Sequence, residues 1–158
     1  MNVKTSEEEL KFALKKRRNQ VLEGAEKRLD GRKDGRTIVK YISAAVDEVL
    51  SLGWAYFSEE IRWQVDVVGV GGFGRSELCP FSDWDILFLV PDRCDTSVLE
   101  SISKFTQFIW DVGGNLGHSV RTVSEAKKFF SHDHHARTAF LESRLILGKG
   151  ILYNRLCS

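Results

Sequence analysis

Two short, almost wholly apolar runs set the frame for this chain. Residues 63–70 (Trp63-Gln64-Val65-Asp66-Val67-Val68-Gly69-Val70) are dense in β-branched side chains, and residues 84–90 (Trp84-Asp85-Ile86-Leu87-Phe88-Leu89-Val90) are apolar nearly throughout until Pro91 stops them. Val68 and Val70 stand two apart, as a buried strand requires, and both runs read as central rather than edge strands. The chain therefore needs a sheet with helices around it.

The flanking sequence supplies those helices. Residues 6–29 are rich in Glu, Lys, Arg and Leu, and Ser6 with Glu9 forms a capping box. Asp30-Gly31-Arg32-Lys33-Asp34-Gly35 breaks the pattern, after which Ile38, Ile42, Val46, Val49 and Leu50 return at helical spacing to about Phe57. Val98, Ile102, Phe105 and Ile109 predict an amphipathic helix ending near Gly113-Gly114. Residues 116–122 fit a third strand. Thr122 with Glu125 makes a second capping box, and from there to Leu147 the pattern predicts helix in two pieces, broken around Ser131-His132-Asp133. The expected order is α-α-β-β-α-β-α-α, an α+β chain with a small mixed sheet. Three segments follow: helical residues 1–60, a core at 61–125 and C-terminal helices at 126–158.

Composition narrows the class. The chain has 158 residues, 42% hydrophobic and 28% charged, a globular balance that suits one domain. A domain of that length buries about 70% of its unfolded surface and needs no staple. Cys79, Cys94 and Cys157 are odd in number and unpaired in spacing, which argues against a disulfide framework or a zinc site and for a reducing cytoplasm. No apolar run approaches a membrane span, and Met1-Asn2-Val3-Lys4-Thr5 opens no signal core. Lys plus Arg number 23 against 22 Asp plus Glu, so no global charge argues for nucleic acid. Residues 1–40 are locally basic, the pattern of a solvated helix face.

Chemistry concentrates between the two strands. Gly71, Gly72 and Gly74 follow the first strand directly; glycines there let main-chain N–H groups approach a phosphate closely. Ten residues separate Gly72 from Asp83, and Asp83 and Asp85 have a period-2 spacing that puts both carboxylates on one face and Trp84 on the other. Carboxylates so close repel unless a cation sits between them, and hard oxygen ligands with few partners suit Mg²⁺ completed by phosphate oxygens. That pattern fits metal-assisted phosphoryl or nucleotidyl transfer. Arg75 is near enough to add a phosphate contact or to pair with Glu77. Ser82 either steadies a carboxylate or starts the turn. Arg121, on the third strand, either faces the nucleotide or is structural.

Apolar-Gly-Gly, about ten residues, then Asp-x-Asp at a strand resembles the nucleotidyltransferase superfamily that includes DNA polymerase β. The fuller string from Val70 to Leu89 resembles the N-terminal domain of bifunctional uridylyltransferase/uridylyl-removing enzymes. Trp110-Asp111-Val112, Leu116-Gly117-His118-Ser119-Val120-Arg121-Thr122 and Thr138-Ala139-Phe140-Leu141-Glu142-Ser143-Arg144 support the match. The resemblance implies a polymerase β-like fold, with Gly71 and Gly72 at the triphosphate and Asp83 and Asp85 on Mg²⁺. It also implies UMP transfer from UTP to a tyrosine of the PII nitrogen-regulatory protein, with release of pyrophosphate.

The chain departs from that pattern in four places. Ser76 stands where the family usually has Gly, and Trp84 where a smaller aliphatic is usual. Many superfamily members carry a third carboxylate on a later strand, whereas residues 116–122 contain none, leaving Asp111, Glu125 or a residue outside this chain to supply it. The family's phosphohydrolase and glutamine-sensing domains are not visible here. His132-Asp133-His134-His135 lacks the spacing that converges metal ligands. Two further readings stay open: transfer of another nucleotide or to another acceptor, since nothing reads the uracil ring, and a non-catalytic nucleotide-binding module.

Overall fold

The helical rhythm of the first third is realised as α1 (Glu7–Asp30) and α2 (Gly35–Phe57). The structure is a computed structural model that describes residues 6–31, 34–57, 61 and 63–158. Arg32 and Lys33 of the expected turn, residues 1–5 and the boundary expected at residue 60 lie outside the described residues. The first capping box closes as its sequence requires: the Glu9 N–H donates to Ser6 Oγ and the Ser6 N–H to the Glu9 carboxylate. Along its length α1 buries Leu14, Val21 and Ala25, whereas α2 buries a full stripe from Ile38 to Trp54. The second helix is thus the one the core depends on.

Four strands form one mixed sheet in the order β3-β2-β1-β4, comprising β1 (Asp66–Gly69), β2 (Trp84–Val90), β3 (Leu116–Thr122) and β4 (Arg144–Leu147). β1 pairs antiparallel with β2 and β4, and β2 pairs parallel with β3. The two apolar runs are the central strands, as their lack of alternation requires. Val67, Ile86, Phe88 and Val90 pack on one face with α1, α2 and α4 (Thr96–Asp111). Val68, Leu87 and Leu89 pack on the other with α5 (Val123–His132) and α7 (Ile151–Cys157). The fold is α+β, a small sheet flanked by helices.

The last third differs from the expected pair of helices. α5 and α6 (His134–Leu141) meet at Asp133, where the break was expected, but the chain then forms β4 and α7. Arg144-Leu145-Ile146-Leu147 has neither alternation nor length to separate it from a helix by pattern, and its strand state comes from pairing with β1. A further helical turn, α3 (Gly71–Gly74), occupies the glycine stretch.

Asp66 ties the new pieces together. Its side chain is buried on β1, and its carboxylate accepts the N–H groups of Gly150, Leu152 and Tyr153, so β1 caps the start of α7. Gly148 makes this possible: it takes φ +108°, and any Cβ there would collide with the Asp66 carboxylate. Asp66→Ala leaves three donors unpaired at about 1–3 kcal/mol each, so a loss of at least about 3 kcal/mol in urea unfolding is expected. Asp66→Asn, which keeps one acceptor oxygen, should fall between.

Candidate active site

β1 carries the chain to one corner of the sheet, where the Val70 N–H donates to the Asp85 carbonyl at 3.0 Å. That bond sets the glycine turn directly beside the start of β2. Gly71 takes φ +57°, and one turn of helix closes through Gly74 N–H to Val70, Arg75 N–H to Gly71 and Glu77 N–H to Gly72 carbonyls. Gly71 and Gly72 are half-buried, and their N–H groups have no acceptor among the described residues.

The turn is clamped from both sides. Gly74 lies so close to the Glu142 carbonyl that no Cβ fits. Arg144, on β4, donates to the Phe73 carbonyl at 3.3 Å and pairs with Asp47 of α2 at 2.8 Å. On the α2 side the buried Leu78 N–H donates to Ser43 Oγ at 2.9 Å. Arg75 pairs with Glu77 at 2.9 Å and with Glu142, and its guanidinium lies alongside Gly72. Its charge is thus shared between two carboxylates, the salt-bridge arrangement extended by a partner from the far end of the chain.

Asp83 and Asp85 are both exposed, and Trp84 between them is buried against Gly114. Neither carboxylate has a cationic partner among the described residues. Asn115, from the connection between α4 and β3, donates its amide to Asp83. Gly117 lies opposite Asp85 in the parallel register, and a Cβ there would come within 2.9 Å of the Asp85 carboxylate. Partial burial first, and the charge of Asp83 second, push the Asp85 carboxyl above its ordinary range. The pair therefore stores uncompensated negative charge.

The other expected residues fall elsewhere. Ser82 donates to the Cys79 carbonyl at 2.9 Å and shapes the turn. Arg121 is paired in register with Leu89, four residues along the sheet from the Asp85–Gly117 pair, or about 13 Å. Its guanidinium covers the Phe129 ring at 3.9 Å. The fold does not bring it to the aspartates.

Asp111 is bound by Lys11 and Gln107, and Glu125 caps α5 through Thr122, so neither joins them. His132 bonds the Lys128 carbonyl and Asp133 caps α6; the described residues hold no group of three or more potential metal ligands. Asn115, Glu142 and Asp47 were not read from the sequence, because only the parallel β2–β3 register and the unforeseen β4 bring them to this corner.

A glycine turn abutting two exposed carboxylates on a mixed sheet defines the class of site. The comparisons give it a relation: the chain is homologous to part of the bifunctional uridylyltransferase/uridylyl-removing enzymes. It is 38% identical over 111 residues to that enzyme of Nitrosococcus oceani, covering 70% of this chain and 12% of the relative. To the enzyme of Chromobacterium violaceum it is 36% identical over 116 residues, 73% of this chain and 13% of the relative. To that of Burkholderia mallei it is 40% identical over 114 residues, 72% and 13%. The match thus spans about one-eighth of these relatives' length. No protein-family model matches the chain.

Two outcomes follow from this geometry. The raised Asp85 carboxyl means that the folded chain holds its proton to higher pH than the unfolded chain, so stability declines as pH rises through that window. Without added metal, Asp85→Asn should raise the urea midpoint at pH 7, and the gain should vanish below the ordinary carboxylate range. Ser76 sits at φ +58°, a conformation glycine adopts without strain. Ser76→Gly relieves a left-handed penalty of about 1–2 kcal/mol against glycine's entropic cost of about 0.5–1 kcal/mol, so a net gain of roughly 0.5–1 kcal/mol is expected in the same assay.

Proposed function

We propose that this chain carries a nucleotidyl-transfer site that moves UMP from UTP to a tyrosine of a PII-type regulatory protein and releases pyrophosphate. The single observation that carries the reading is the corner itself, where Gly71-Gly72 and the Asp83/Asp85 pair are held together by the Val70–Asp85 backbone bond. Homology to part of the uridylyltransferase/uridylyl-removing enzymes supports the chemistry. The lack of a span-length apolar helix among the described residues, with three free cysteines, suits a cytoplasmic setting.

The donor set fits Mg²⁺. Two carboxylates without a cationic partner among the described residues, one of them raised by partial burial first and by its neighbour's charge second, would be relieved by a divalent ion, a hard cation that also takes phosphate oxygens. When bound, the ion supplies neutralisation of phosphate charge and polarisation at the reacting phosphorus. Asp83, steadied by Asn115, and Asp85, with room left by Gly117, would hold it. The free N–H groups of Gly71 and Gly72 orient the triphosphate, and Gly74 keeps the turn pressed on the Glu142 segment. In the transfer the tyrosine hydroxyl gives its proton to water, its oxygen bonds to the α-phosphorus, and the bond from the α-phosphorus to the bridging oxygen breaks, that oxygen leaving with pyrophosphate. Arg75 braces the turn through Glu77 and Glu142, Ser82 shapes the approach to Asp83, and Arg121 takes no part.

One observation favours a second reading, a nucleotide-binding module without turnover: the side chain at Asp83 is the neutral amide of Asn115 rather than a third carboxylate. The test is transfer of label from α-labelled UTP, with ATP in parallel, to a PII-type protein with and without Mg²⁺. Metal-dependent labelling that falls below detection in Asp83→Asn/Asp85→Asn is expected. Labelling undiminished in that variant would overturn the reading, and UTP binding without pyrophosphate release would favour the second.

A further inference from the structure

The strand order β3-β2-β1-β4 gives the acidic pair two different flanks. On the β1 side stands the glycine turn; on the other side runs β3, the outermost strand there among the described residues. Phosphoryl transfer sets the attacking and leaving oxygens roughly in line. With the departing phosphates at the glycine turn, the attacking oxygen enters from the β3 side.

Paired residues of neighbouring strands point their side chains to one face, so Gly117, Ser119 and Arg121 share the face of Asp85, Leu87 and Leu89. Gly117 puts no side chain beside Asp85. Ser119 is half-buried, and its hydroxyl has no hydrogen-bond partner among the described residues. Arg121 ends the row, about 13 Å from the Asp85–Gly117 pair. Its guanidinium lies on the Phe129 ring at 3.9 Å, its Nε is covered without a hydrogen-bond partner, and no carboxylate pairs with it among the described residues. Together with the exposed Lys128 and His132 it lines an open hollow beside α5. Glu125 lines the hollow too, but its carboxylate is engaged by the Thr122 N–H at 2.8 Å in the capping box.

A partly desolvated charge is unfavourable until it is paired, and a guanidinium held flat on a ring keeps its terminal nitrogens in place to grip a carboxylate. We infer that β3 carries the docking surface for the acceptor protein: the acceptor tyrosine passes over Gly117 and Ser119 to the Asp83/Asp85 pair, while an acidic side chain of the same segment pairs with Arg121 beside Lys128. The inference rests on the nucleotidyl-transfer reading. Charge complementarity selects the occupant, since the acidic pair at one end repels a carboxylate and the cationic hollow at the other attracts it. An extended chain advances about 3.3 Å per residue, so about 13 Å places the acidic residue about four residues from the tyrosine. Arg121 touches no reacting atom, and its part is to hold the acceptor.

The experiment uses the full chain with Mg²⁺, α-labelled UTP and a PII-type protein as acceptor. Label transfer is followed at increasing acceptor concentration in wild type, Arg121→Gln, Arg121→Lys and Lys128→Glu. The Arg121 Nε has no hydrogen bond to lose and Lys128 is exposed, so each variant should fold, with a urea midpoint near that of wild type. Arg121→Gln should raise the acceptor KM about tenfold, with kcat and the KM for UTP within about twofold of wild type. Lys128→Glu should act in the same direction, and Arg121→Lys should recover most of the loss. Added salt should raise the acceptor KM of wild type more than that of Arg121→Gln. An acceptor KM within about twofold of wild type in both Arg121→Gln and Lys128→Glu would overturn the docking surface while leaving the transfer reading standing. A fall in kcat with a matching rise in the KM for UTP would also overturn it, because that pattern marks a disturbed fold rather than a lost contact. Absence of labelling in wild type would overturn the transfer reading, and the docking surface with it.

Discussion

The corner of the sheet exists because β1 and β2 lie side by side. The backbone bond from Val70 to Asp85 continues their antiparallel pairing one step past Gly69 and Ile86, and it fixes where the glycine turn begins relative to where the second strand starts. The burial of Val67, Val68, Phe88 and Leu89 holds those strands in that register, since a one-residue slip would turn both faces inside out. Buried apolar side chains contribute about 1.5–3 kcal/mol each, against about 0–1 kcal/mol for an exposed ion pair such as Arg75–Glu77. The position of the acidic pair is therefore set by the core; the polar contacts around it choose among small displacements.

Those polar contacts nonetheless link distant parts of the chain to the turn. Ser43 and Asp47 reach it from α2, and Glu142 and Arg144 from the segment between α6 and β4. The absence of a Cβ at Gly74 lets the last of these segments approach, and Asp66, by capping α7, holds the chain that follows β4 onto the same sheet. Glycines appear at these points because backbone meets backbone or carboxylate there, which no larger residue permits.

This explains what was legible. The strands at the centre, the long helices and both capping boxes are local patterns, written in spacing and burial along a single segment. The opposite orientation of Trp84 from Asp83 and Asp85 follows from alternation alone. β4 was hidden because four half-buried residues at an edge carry no period of their own; their partner, β1, decides their state. Arg121 shows the complementary limit: its place on the third strand was readable, but its distance from Asp85 depends on the β2–β3 register, which no local pattern encodes. Asn115 was hidden for the same reason, sitting just before β3 and reaching Asp83 only once the two strands align.

The charge of the corner also orders the events of the proposed reaction. Two carboxylates and a triphosphate are all negative, and at about 4 Å and an effective dielectric of about 20 each pair of unit charges costs about 4 kcal/mol. The two free glycine N–H groups are neutral dipoles and cannot offset several such terms, and the nearest guanidinium, Arg75, is already shared between Glu77 and Glu142. A cation must therefore arrive with the phosphates or before them. Asn115 makes this requirement lighter than a third carboxylate would, since its amide donates to Asp83 without adding charge. On the proposed reading, such a site would hold Mg²⁺ weakly on its own and more strongly with nucleotide, because two carboxylates supply few of the oxygen ligands a hard cation takes.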